Sequence, residues 1–278
     1  MTASPACRSS ASREMRGGAA GLLAALATAI ALFALAGYQV TSATAAERLL
    51  GRLAAALVEI DRWLPAHRED IDLLARAVPE GTVDLDDLPV DVALPAADVI
   101  GSEEAALRDR IVALMGEALY GDGKDAFRGE EGAASLGVDE PARWTATLLS
   151  AGAHRFWQAA LPLTLLVLLA LVASLLHGGR SPLLPLTIGA GVAAACSLAV
   201  WLLAEAGETA LDSAIDREIV LILRDGAWIG LRNAAAVAAA GLAIRALLAL
   251  ARPGPTAWPA ADQPQRPEPA EGPETPSA

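Results

Sequence analysis

Four apolar stretches, each long enough to cross the hydrocarbon core of a bilayer as a helix, constrain this chain more than any other feature. They run over 19–38, 156–176, 183–204 and 227–250, and mostly acidic segments separate them. A backbone in hydrocarbon has to satisfy its own hydrogen bonds, so such stretches cross as helices. The pattern predicts an all-α polytopic membrane protein with four transmembrane helices and a small, mostly helical extracytoplasmic domain between spans 1 and 2. It excludes a purely soluble enzyme, a coiled coil and a wholly disordered chain. The formal net charge of -12 argues against nucleic acid as a partner, because phosphate is repelled. The lipid bilayer is the partner implied first.

The spans differ in quality. Span 1 (AAGLLAALATAIALFALAGY) carries no charge and exceeds the roughly 7–15 apolar residues of a signal-peptide core, so it reads as a retained anchor. A cleaved signal peptide, with Ala34-Leu35-Ala36 at the site, is the alternative. Span 2 contains LPLTLLVLLALVASLL and has Pro162 in its first turn, where a missing N–H costs little. Span 4 is the weakest, because Arg232, Asn233 and Arg245 interrupt it.

Arginine placement sets the orientation. Arg8, Arg13 and Arg16 lie in the tail 1–18, Arg180 in the turn 177–182, and Arg252 in the tail 251–278. All fall on one side of the four spans, which the positive-inside rule makes cytoplasmic. Aromatic rings mark the other side. Tyr38 ends span 1, Phe156 and Trp157 begin span 2, Trp201 is near the end of span 3 and Trp228 begins span 4. Amphipathic rings prefer the headgroup level, so these are read as interfacial aromatics. The abundance of alanine and arginine beside a single lysine, Lys124, looks like a high-GC bacterial coding bias. The expected location is a bacterial plasma membrane, with multiple passes and both termini cytoplasmic.

The outer domain, 39–155, holds roughly two carboxylates for each basic residue. Leu49, Leu50, Leu53, Leu57 and Ile60 recur at helical spacing, predicting a helix over Thr41–Leu64 that can continue out of span 1 and is limited by Pro65. Asp70–Val78 allows a short helix. The breaker-rich Pro79–Gly101 is either extended or a surface loop. Ser102 is the expected N-cap of a helix bearing Leu107, Ile111, Leu114, Met115 and Leu119, with Gly121 as its stop. Gly129–Gly137 reads as flexible, and Glu140–Arg155 as a helix entering span 2. The domain is thus expected to stand on a stalk of extended spans. Between spans 3 and 4, the outer loop 205–226 contains an amphipathic helix, Ala206–Leu223. Its acidic face points to docking on the outer domain rather than on anionic lipid. The tail 251–278 contains eight prolines, no apolar period, and is expected to be disordered.

Sequence motifs for chemistry are sparse. Asp84, Asp86, Asp87 and Asp91 cluster, but without the central glycine and closing glutamate of a calcium loop, so a solvated acidic loop is expected. His67 and His154 are expected outside and His177 inside, which rules out a three-histidine site. There is no G-x-S-x-G and no phosphate-binding loop. Cys7 and Cys196 both lie outside the acidic region, so no disulfide framework is available there. No metal, cofactor or catalytic residue is assigned, and the protein is not expected to be an enzyme.

The sharpest candidates are intramembrane polar residues: Arg232, Asn233 and Arg245, with Glu205, Glu208 and Asp225 as partners at similar depth. Neither arginine is at the midplane, which favours snorkelling and structural pairing. Small residues at Gly189–Ala195 and Ala234–Gly241 predict close packing of spans 3 and 4. The function that follows is a non-enzymatic membrane protein whose outer domain binds an envelope protein, a peptide or a cell-wall component, alone or as a homo-oligomer. The alternative is a transporter or channel subunit using the polar residues of span 4.

Overall fold

The computed structural model describes residues 5–85, 87–127 and 140–251. The Gly129–Gly137 segment, Asp86 and the tail from Arg252 lie outside the described residues. Among the described residues the chain is all-α apart from one small hairpin. In order, it forms α1 (Pro5–Val40), α2 (Ala43–Val58), α3 (Ile60–Ala77), β1 (Thr82–Asp84), β2 (Ala93–Pro95), α4 (Ala96–Val99), α5 (Glu104–Asp122) and a 3-10 turn (Gly123–Ala126). Then follow α6 (Glu140–Leu149), α7 (Ala151–His177), α8 (Leu183–Glu208) and α9 (Ala214–Leu250). Among the described residues four helices are long and apolar enough to cross a membrane: Gly18–Val40, Ala151–His177, Leu183–Glu208 and Ala214–Leu250.

Within this bundle α8 and α9 form the most extensive pair, and α1 packs against α7, α8 and α9. Small residues make this possible. A Cβ at Gly189 would strike the backbone carbonyl of Ala25 and the side chain of Thr28, so α8 rides directly on α1. The cluster at that seam is Ala29, Leu32, Ala190, Ala193 and Ala234. Close backbone approach of this kind drives helix association where lipid is as apolar as leucine. The sequence predicts the α8–α9 contact, and the structure adds α1 to the same seam.

The acidic region builds a different core. Leu50 and Leu53 of α2, Ile60 and Leu64 of α3, Leu94 of β2, Leu107, Ile111, Met115 and Leu119 of α5 are all essentially inaccessible. β1 and β2 pair antiparallel, with Val83 opposite Leu94. Ala142, Ala146 and Leu149 of α6 close the cluster, and Ile215, Ile219 and Ile222 of α9 pack into it. The region therefore does not stand apart on a stalk. It shares its core with the helix that carries span 4.

The junctions explain this. α1 and α2 are separated at Thr41–Ser42, where the Thr41 hydroxyl donates to the Gly37 carbonyl (2.7 Å) and the Ser42 hydroxyl to the Gln39 carbonyl (2.8 Å). Such local bonds compete with the helix ladder. α6 and α7 are separated at Ser150, whose side chain accepts from the Ala153 N–H. Both breaks fold the region down onto the bundle.

Other boundaries also shift from expectation. α2 ends at Glu59, whose left-handed backbone (φ 47°, ψ 52°) swings Ile60 and Leu64 into the core, and Pro65 falls inside α3. Ser102 is not the cap of α5, because its hydroxyl donates to the Val99 carbonyl (2.8 Å). α5 runs through Gly121 and stops at Gly123, where φ is +62°. The loop helix expected over Ala206–Leu223 is divided between α8 and α9 by a turn. Ser213 caps α9 by accepting from the Asp216 N–H.

Candidate functional site

The acidic region meets the bundle at a charged latch. Arg52, on α2, reaches across to two carboxylates two turns apart on one face of α9. Its guanidinium lies 2.7 Å from Glu218 Oε1 and 3.1 Å from Asp225 Oδ2. The Glu218 side chain is mostly buried, while Arg52 and Asp225 remain partly open to solvent. Next to Asp225 in the chain, Arg224 binds Glu208 (2.7 Å) and Glu205 (3.3 Å), tying the end of α8 to α9. The acids that the sequence offers to Arg232 are thus held by Arg52 and Arg224. Arg232 itself is exposed on α9, as is Arg245.

A polar cavity of 480 Å³ adjoins the latch, lined by Arg52, Arg62 and Arg108 together with Glu59, Asp61 and Glu218. Arg108 donates to Asp61 (2.6 Å) and Arg62 to Glu59 (2.6 Å). The Asp61 hydrogen bond raises the Arg108 pKa above the ordinary arginine value. The three arginines therefore face three carboxylates, and their charges balance.

Below the latch, Asn233 donates to the Gln39 side chain at 2.7 Å and joins α9 to α1. Tyr38 stacks on His154 of α7, with ring centroids 4.9 Å apart. The Thr41 hydroxyl spends its proton on the Gly37 carbonyl, so the 3.1 Å contact has His154 Nδ1–H donating to Thr41 Oγ1. Trp157 lies over Gly37 so closely that a Cβ there would collide with its ring, and Phe156 meets Trp157 edge-on at 5.0 Å. Gly230 lies against Ser197, and with the Arg224 bonds this sets the register that brings Trp201 and Trp228 to the same end of the bundle. All the aromatics named from the sequence gather there, directly under the acidic region.

The four polar candidates of the bundle do not gather. Glu205 joins Arg224, Asn233 joins Gln39, and Arg232 and Arg245 are separated by about 20 Å along α9 at the helical rise. Among the described residues no group of three or more His, Cys, Asp and Glu side chains is arranged to hold a metal ion. His67 is instead stacked on Trp63 and lies 3.9 Å from Asp87.

Between these elements sits an apolar cavity of 380 Å³. Phe33, Ala36 and Gly37 of α1 form its floor, Trp157 of α7 and Val200 of α8 flank it, and Leu148 of α6 and Ile222 of α9 cover it. Comparison with known proteins finds no matching family model, no matching curated protein and no matching solved structure. The site therefore has to be interpreted from its own geometry.

Sequence reading missed Gln39, Arg52, Arg224 and this cavity. Gln39 carries a signal in hindsight, as an amide at the very end of an uncharged span. Arg52 carries none, because its partners are more than 160 residues away in the chain.

Proposed function

We propose that this chain is a non-enzymatic integral membrane protein of a bacterial plasma membrane, with both termini cytoplasmic. In this reading the region 43–149 lies on the outer side and binds a basic envelope partner, either a protein or a cell-wall component. The carrying observation is the segment from Val83 to Val92. Val83, Leu85, Leu88, Val90 and Val92 are buried in the core, while Asp84, Asp87 and Asp91 are exposed. A core-anchored segment with carboxylates turned outward presents a fixed anionic surface, which steers and selects a cationic partner. The placement in the sequence of Arg8, Arg13, Arg16, Arg180 and Arg252, all on the side of the spans opposite the aromatic rings, supports the orientation.

The competing reading, a transporter or channel subunit, rests on polar residues in span 4. The hydrogen bond between Asn233 and Gln39 gives one of these residues a structural task, which favours the first reading. Topology is tested with single cysteines (Gly81→Cys, Gly178→Cys or Glu208→Cys) in a background lacking Cys7 and Cys196. Outer labelling at positions 81 and 208 but not 178 is expected. Labelling at 81 only after permeabilisation overturns the orientation. Crosslinked capture from intact membranes then compares the native chain with an Asp84→Asn/Asp87→Asn/Asp91→Asn variant. A specific partner lost in the variant supports the proposal, and its absence from the native sample sinks it.

A further inference from the structure

The apolar cavity plays no part in partner binding as proposed above. We propose that it holds one hydrocarbon chain of a membrane phospholipid. This inference rests on the membrane-embedded reading but not on the identity of any partner.

Size comes first: at 380 Å³ the cavity has room for a chain one methylene wide. Chemistry limits it next. The walls are almost wholly carbon, and the Thr41 and Thr145 hydroxyls at the edge already donate to the Gly37 and Pro141 carbonyls. With so little polar lining, a headgroup entering would lose most of its hydrogen bonds, whereas a hydrocarbon chain needs none.

The mouth decides the source. Four lining residues are exposed: Leu148 (63%) and Leu223 (53%) on the upper lip, Phe33 (43%) and Val200 (44%) below. Phe33 lies more than a turn inside Tyr38, and Val200 adjoins Trp201. The opening thus faces the apolar flank of the bundle at or just beneath the aromatic level. Lipid tails are the abundant apolar species at that depth. A second apolar groove is lined by Pro162, Leu165 and Val172 of α7 with Leu186 of α8.

The test uses the full chain in vesicles of phosphatidylcholine and phosphatidylglycerol, doped with a phospholipid carrying a photoactivatable diazirine on one acyl chain. Adducts are mapped by mass spectrometry. Cavity segments 33–41, 145–149 and 219–230 are expected to be labelled more densely than the open face of α7 at Leu163. Ala227→Trp, which fills the cavity, is expected to lower cavity labelling about tenfold, the effect of displacing two methylenes of buried chain. Labelling at Leu163 should not change. Val200→Trp fills the cavity from α8 instead of α9 and guards against a folding artefact in the first variant. Cavity labelling no denser than at Leu163, or unchanged in both variants, overturns the proposal. Absence of adducts on every span overturns the membrane reading itself.

Discussion

The two halves of this molecule are held together by different kinds of core. In the acidic region most of the buried side chains are large, among them Leu53, Leu64, Ile111, Met115 and Leu119. In the central cluster of the bundle they are mostly small: Ala29, Ala190, Ala193 and Ala234 around Leu32. Meanwhile large residues such as Leu163, Leu169 and Leu203 turn outward. The reversal follows from solvent. Against water, burying a large apolar side chain is worth about 1.5–3 kcal/mol, so size collects inside. Against lipid there is no such gain, and close approach of backbones takes its place. α9 belongs to both worlds, since Ile215, Ile219 and Ile222 serve the first core and Ala234 the second.

Truncation should break this comparison most visibly. Ile111→Ala is expected to destabilise the acidic region by about 2–5 kcal/mol, read as earlier urea-induced loss of protection in hydrogen exchange. Leu32→Ala in the bundle should cost clearly less, because the unpacked helix loses only contacts that lipid can replace. Equal losses would remove the distinction.

Enlargement should act in the opposite sense. Gly189→Val places a side chain against the Ala25 carbonyl and should cost about 1–3 kcal/mol in the bundle, seen as a lower melting temperature in detergent. Hydrogen exchange in α5 should stay as it was.

The latch between the halves is a smaller effect. Arg52→Ala should cost about 1 kcal/mol, since two of its three members are partly exposed and screened. The expected sign is faster exchange confined to α2 and the first turns of α9, with raised salt narrowing the difference. Smallest is Asn233→Leu, which removes the bond to Gln39. Interhelical hydrogen bonds in membranes average about 0.6 kcal/mol, so a modest shift in resistance to SDS is the expected reading.

Much of the helical content was legible from local chemistry. Three spans show as uncharged runs and the fourth as an apolar run broken by Arg232 and Arg245, and the stripe from Leu49 to Ile60 announces α2. The boundaries were less legible, because they turn on where one hydroxyl or one peptide points. Ser102 and Ser150 are both plausible caps by type, yet only Ser150 accepts an N–H. Nothing in the residue string separates them. Among the candidate site residues, the interfacial aromatics do share one end of the bundle, whereas the polar candidates of span 4 are dispersed.

Length and hydropathy were enough to locate four helices long and apolar enough to cross a membrane, since a bilayer judges each segment by its own transfer free energy. Folding in three dimensions chose the neighbours. It placed α1 at the centre of the bundle, set Arg52 on Glu218 and Asp225, paired Asn233 with Gln39, and left an apolar cavity under α6. Those choices depend on which small residues let two backbones meet and which charges end up within reach. Both are properties of surfaces brought together, and no single segment carries them.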